Sequence, residues 1–90
     1  MNIAELTARI EFGIDDYSDE DLSGLDLTGF DLTNKCFNGC NFDSTILNDS
    51  DCSNSTFEDA RMNNAQIFNT KFRDPEVEKL FKNVGEETIF

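Results

Sequence analysis

The sequence predicts an all-β solenoid, a chain that coils and stacks turn upon turn. Two observations predict it. From Leu22 to Phe72 an apolar residue falls on every fifth position: Leu22, Leu27, Leu32, Phe37, Phe42, Leu47, Cys52, Phe57, Met62, Ile67 and Phe72. Two places before most of these stands a small residue, as at Cys40, Thr45, Ser50, Ser55, Ala60, Ala65 and Thr70. A period of five matches neither the 3.6 of a helix nor the 2 of a strand, so the stretch is a repeat array.

The elements follow in order. Over residues 2–10, Ile3, Leu6 and Ile10 share one face of a short helix, with Glu5 and Arg9 spaced i,i+4 beside it. So short a helix needs a surface to pack on, and the open end of a stack supplies one. Residues 13–20 read as an acidic connector. After Phe72, Arg73-Asp74-Pro75 stops the repeat, because proline cannot extend a ladder and suits the first turn of a helix. Val77, Leu80, Phe81 and Val84 give that second helix an apolar face, and Gly85 ends it. The chain reads as one domain: residues 1–19 a helix and connector, 20–74 the repeat, 75–90 a capping helix and tail.

Segments such as Asp26-Leu27-Thr28-Gly29, Asn41-Phe42-Asp43-Ser44 and Ala65-Gln66-Ile67-Phe68-Asn69 resemble pentapeptide-repeat proteins. The resemblance spans 51 of the 90 residues. It implies a right-handed quadrilateral β-helix of about three coils, with the central and the small residue of each unit inside. Elementary geometry agrees: a quarter-turn per unit brings each residue above the one twenty earlier, with coils about 4.8 Å apart. The expected ladders are Leu22–Phe42–Met62, Leu27–Leu47–Ile67, Leu32–Cys52–Phe72 and Phe37–Phe57. Gly24, Gly29, Gly39, Asn34, Asn54, Asn64 and Asn69 fall at the corners, where residues tolerant of positive φ belong. Glu20, Leu25, Phe30 and Lys35 are too large or charged for the small position, so the first coil is expected to be distorted or to lean on the N-terminal helix.

Little in the chain points to catalysis. It has no histidine, so the usual base and the commonest metal ligand are missing. Ser44, Ser50, Ser53 and Ser55 lack a base to activate them and sit at repeat positions. Cys36 and Cys40 are spaced CxxxC, but the family geometry turns Cys36 outward and Cys40 inward, against a zinc site. Asp49, Asp51 and Ser53 start like a calcium loop, yet Asn54 replaces its glycine and Ala60 its final glutamate. The expectation is a protein that is no enzyme and carries no cofactor or metal. Three cysteines without a CxxC favour a reducing cytoplasm, that of a bacterial host if a phage encodes the chain. No signal peptide or membrane span is apparent.

Charge carries the functional reading. The net charge is −12, from 19 acidic and 7 basic residues. Residues 1–59 hold 14 acidic and 2 basic side chains, and residues 60–90 hold 5 of each. Such a chain is repelled by nucleic acid and anionic membrane and attracted to basic surfaces. Asp21, Asp26, Asp31, Asp43, Asp49, Asp51, Glu58 and Asp59 fall on outward positions and are the candidate partner-binding residues. Rows of fixed carboxylates can imitate the phosphates that DNA-binding proteins neutralise with Lys and Arg. Under three coils span roughly 13 Å, about four base pairs at ~3.4 Å each. That suits inhibition of a basic DNA- or PAM-binding groove, as by a phage or mobile-element anti-CRISPR protein. The resemblance offers the alternative of a DNA gyrase or topoisomerase-binding protein. A third reading is a non-catalytic interaction module using the outward apolar pair Ile46 and Phe68, with a homodimer left open.

Overall fold

The structure is a computed structural model that describes residues 1–72. The expected second helix and tail over residues 75–90 lie outside the described residues.

Helix α1 spans Ile3–Glu11. Asn2 caps it, its side chain accepting the Glu5 N–H at 2.8 Å and donating to the Glu5 carboxylate at 3.3 Å. With Glu5 held there, Arg9 reaches across to Glu20 at 2.8 Å instead of pairing along the helix. Leu6 is fully buried, and Ile3 and Ile10 pack against the same core. Burying one leucine stabilises by about 1.5–3 kcal/mol, which supplies the tertiary support a nine-residue helix requires. The helix ends on Gly13 at φ +79°, whose N–H donates to the Ile10 carbonyl while Ile14 N–H donates to that of Arg9, both at 3.0 Å. These are the two bonds of a Schellman motif.

Beyond α1 the chain returns above itself every twenty residues. Parallel bridges join Asp16 to Cys36, Asp21 to Asn41, Asp26 to Ile46, Asp31 to Asp51, Cys36 to Thr56, Asn41 to Arg61 and Ile46 to Gln66. Among the described residues only β1 (Asp51–Cys52) and β2 (Lys71–Phe72) extend to two-residue strands, paired parallel in the same register. Strands stay this short because a corner interrupts the extended backbone in every unit. Residues 19, 24, 29, 34, 39, 44, 49, 54, 59, 64 and 69 all have positive φ, between 59° and 74°. In most units the N–H after the corner donates to the carbonyl three residues back, as from Thr45 to Phe42 at 3.0 Å. Positive φ at the third residue alone makes this a type II turn, so Gly, Asn and Asp gather there.

The expected ladders form: their members from Leu22 to Ile67 are buried, and Phe72 packs at the margin. The repeat also starts one unit before the apolar series suggests. Tyr17 is buried, its ring stacked on Phe37 at 5.6 Å, and Phe37 stacks on Phe57 at 5.4 Å. Residues 16–19 therefore belong to the stack and not to the connector, and four ladders of three central residues fill the interior.

The first layer keeps its register and leans on α1. Leu25 and Phe30 pack on the core beside the helix, Glu20 meets Arg9, and Lys35 reaches Asp15 at 2.9 Å. In the upper layers the small residues do more than leave room. The thiol of Cys40 donates to the Tyr17 carbonyl, Thr45 to that of Leu22, Ser55 to that of Leu32 and Thr70 to that of Leu47. Each bond links a small residue to the central carbonyl of the layer below and satisfies a polar atom facing the core.

Candidate functional site

The parallel bridges fall in four columns of residues twenty apart, and each column with the turn that follows it is called a side. One turn recurs around the first layer of the stack. Asp16, Asp21, Asp26 and Asp31 each use one oxygen to accept both the N–H (3.0–3.1 Å) and the hydroxyl (2.5–2.7 Å) of the residue two places on: Ser18, Ser23, Thr28 and Thr33. Asp51 does the same with Ser53, and Asn41 makes the backbone bond to Asp43. These bonds, the hydroxyl's foremost, hold the carboxyls of Asp16, Asp21, Asp26, Asp31 and Asp51 below the ordinary aspartate range. Each aspartate thus has a structural duty; Asp16, Asp21, Asp26 and Asp31 are nonetheless exposed, and Asp51 is half-buried.

The eight acidic residues singled out from the sequence are dealt two to a side. Asp21 and Asp43 share the side of Asn41, and Asp26 and Asp49 that of Ile46. Asp31 and Asp51 bridge directly across layers, and Glu58 and Asp59 stand on the side of Cys36. The structure does not gather them into one patch.

Their environments differ. Asp43 is engaged, by Arg61 at 2.6 Å and by the Asn63 N–H at 2.9 Å. Asp49 accepts from the Asn69 side chain at 3.2 Å. Lys71 stands close enough to Asp51 to help lower its carboxyl. The side of Cys36 is different, because it carries two further acids that sequence spacing placed in the connector, Asp16 and Asp19. Its one lysine, Lys35, is bound to Asp15. Asp16, Asp19, Glu58 and Asp59 enter no ion pair among the described residues. At the corner column Asp19 and Asp59 flank Gly39, and the Asp19 carboxylate occupies the space that a Cβ on Gly39 would take. The D-x-[S/T] pattern at Asp16-Tyr17-Ser18, repeated at Asp21, Asp26 and Asp31, is the sequence signal that would have placed Asp16 in the stack.

The cysteines divide as the repeat geometry requires. Cys36 is half-buried on the outside; its sulfur lies 3.3 Å from the Ser18 hydroxyl, and that bond and the Asn38 N–H pull its pKa down. Cys40 and Cys52 are buried, which pushes their thiols up to about 11 and about 12. Among the described residues no group of three or more His, Cys, Asp or Glu is placed to hold a metal ion. No helix among them is long and apolar enough to cross a membrane.

A family model of pentapeptide repeats matches residues 36–74 in 8 copies. Residues 36–74 are pentapeptide repeats. No curated protein and no solved structure matches the chain. The matched span begins at the second layer of the stack, where the small position first holds small residues. Glu20, Leu25, Phe30 and Lys35 obscure the pattern in the first layer, although its backbone pairs in the same way. On the side of Ile46, Phe68 is 47% exposed while Ile46 is half-buried, so the apolar pair presents mainly its aromatic member.

Proposed function

We propose that the repeats wind as a right-handed quadrilateral β-helix and that the protein acts, without catalysis, as an acidic mimic of duplex DNA. In this reading it occupies the basic DNA- or PAM-binding groove of a DNA-binding protein. A CRISPR effector complex in the cytoplasm of a bacterial host is the target whose short duplex element fits a stack of three layers. One observation carries the reading: four acids, Asp16, Asp19, Glu58 and Asp59, share one side, and none of them enters an ion pair among the described residues. Fixed carboxylates on a preorganised backbone pair with Arg and Lys at little cost in ordering.

The test is a pull-down of purified effector complex, with and without competing PAM duplex, across a salt series. Asp16→Asn, Asp19→Asn, Glu58→Gln and Asp59→Asn together remove the charge while leaving residues that tolerate the turns and corners. Wild-type binding should fall with salt and with competing duplex, and the quadruple variant should not bind. Binding indifferent to both salt and the four substitutions overturns the reading.

The pentapeptide repeats over residues 36–74 support a gyrase or topoisomerase target as the alternative, which a supercoiling assay decides. Exposed Phe68 supports a plain interaction module. Loss of binding in Phe68→Ser, with the charge variants intact, would establish that reading instead.

A further inference from the structure

Where α1 meets the first layer, Thr7, Ile10 and Glu11 from the helix and Phe30 and Asp31 from the stack line a groove of about 280 Å³. It is smaller than the pockets of about 300–1,000 Å³ that enclose small molecules, and suits an inserted side chain. The turn that follows Glu11 carries two of the three exposed large apolar residues of the described chain, Phe12 at 86% and Ile14 at 42%. The Schellman bonds of Gly13 and Ile14 fix the backbone here, so these side chains are held outward by a structured turn. An apolar groove followed in the chain by an ordered exposed phenylalanine marks a contact surface.

Charge selects the occupant. Two of the five residues lining the groove, Glu11 and Asp31, are acidic, and the helix's own cation, Arg9, is engaged by Glu20. We propose that this groove, with Phe12 and Ile14, docks a cationic amphipathic segment of a partner protein. An apolar side chain enters between Ile10 and Phe30 while Lys or Arg meets Glu11 and Asp31. A second copy would bring the same two acids, and like charge opposes that pairing. The surface lies at the α1 end and uses none of the four carboxylates that carry the DNA-mimic reading.

The experiment uses the full chain and a short fluorescent helical peptide of Leu and Phe on one face and Lys and Arg on the other, read by anisotropy. Wild type should bind it, and Phe12→Ser should weaken binding by roughly tenfold or more, the loss of an aromatic anchor. Phe12→Ser should melt with wild type, because so exposed a ring contributes little to the core. Glu11→Gln with Asp31→Asn should also weaken binding, and the same peptide carrying Glu in place of Lys and Arg should not bind. The quadruple charge variant should bind the peptide as wild type does, so this proposal and the mimic reading fail separately. Undiminished binding by Phe12→Ser, or equal binding of the acidic peptide, overturns the proposal. So does a Phe12-dependent dimer in sedimentation, which would give the groove to a second copy.

Discussion

Tyr17 stacks on Phe37 with ring centroids 5.6 Å apart and planes 25° from parallel, yet its buried hydroxyl meets no hydrogen-bond partner among the described residues. The ring belongs to the core and the oxygen is a cost borne there. Tyr17→Phe should keep the stack and hold or raise stability, by up to about 1 kcal/mol in urea unfolding. Tyr17→Ala should lose about 3–5 kcal/mol, since it opens the foot of the aromatic ladder. Equal, mild effects of the two would mean that the repeat does not start at Tyr17.

The turn between Asp26 and Thr28 separates charge from geometry. Asp26→Asn retains an oxygen that can accept the Thr28 N–H, as Asn41 does for Asp43 at 2.9 Å. Asp26→Ala retains none. Thermal melts should rank wild type first, then Asp26→Asn, then Asp26→Ala, with the larger step at the alanine. An alanine variant as stable as the asparagine one would reduce this turn to decoration.

Gly24 isolates the conformational cost of a corner. Its φ is +71°, and a methyl added there meets nothing within 4 Å. Gly24→Ala should therefore lose about 1–2 kcal/mol with no steric contribution, whereas Gly24→Asn should lose less. Chemical denaturation of the pair measures the difference.

Stability should fall at both ends of the pH scale. Folding lowers the carboxyls of Asp16, Asp21, Asp26, Asp31 and Asp51. Their contribution is complete above the unfolded value of about 3.9 and is lost as pH falls through the folded values. Folding raises Cys40 to about 11 and Cys52 to about 12, so their contribution is complete below about 8.5 and is lost as pH rises through those values. Melting temperature followed by circular dichroism should form a plateau between about pH 5 and 8. A steady climb into acid, as bare charge repulsion would give, contradicts the turn bonds.

Thiol labelling should follow the same division. Cys36, half-buried and with its pKa drawn down by Ser18 and the Asn38 N–H, should react first with iodoacetamide in the native protein. Cys40 and Cys52 should react only on unfolding. Mass spectrometry of timed digests gives the order, and early labelling of Cys52 would place a gap in the ladder between Leu32 and Phe72.

The interior was legible because one constraint, room for a large side chain, recurs with the period of the backbone. Leu22, Phe42 and Met62 can be matched by counting alone. The corners were legible at Asn54 and Gly24 for a similar reason, since positive φ restricts residue type. Tyr17 was obscured by its neighbours: Asp15 stands where a small residue belongs, and Asp16 and Asp19 make the segment look like a charged linker. The aspartate turns were visible as spelling but were read as charge, because a carboxylate advertises its sign more loudly than its hydrogen bonds. The pairing of Asp43 with Arg61 needs the twenty-residue return before it can be seen. Exposure of Phe12 has no sequence signal, because it depends on how α1 is seated.

The return every twenty residues also governs how such a chain can change in length. Removing one five-residue unit from the middle would move every later residue to the neighbouring side. If residues 45–49 were lost, Glu58 and Asp59 would leave the side of Asp16 and Asp19, and Arg61 would no longer stand above Asn41, within reach of Asp43. Removing twenty residues would shorten the stack and keep each remaining column intact. Insertions and deletions in steps of twenty preserve the pattern on every side, while any other multiple of five keeps a sound core and redistributes the charges around it.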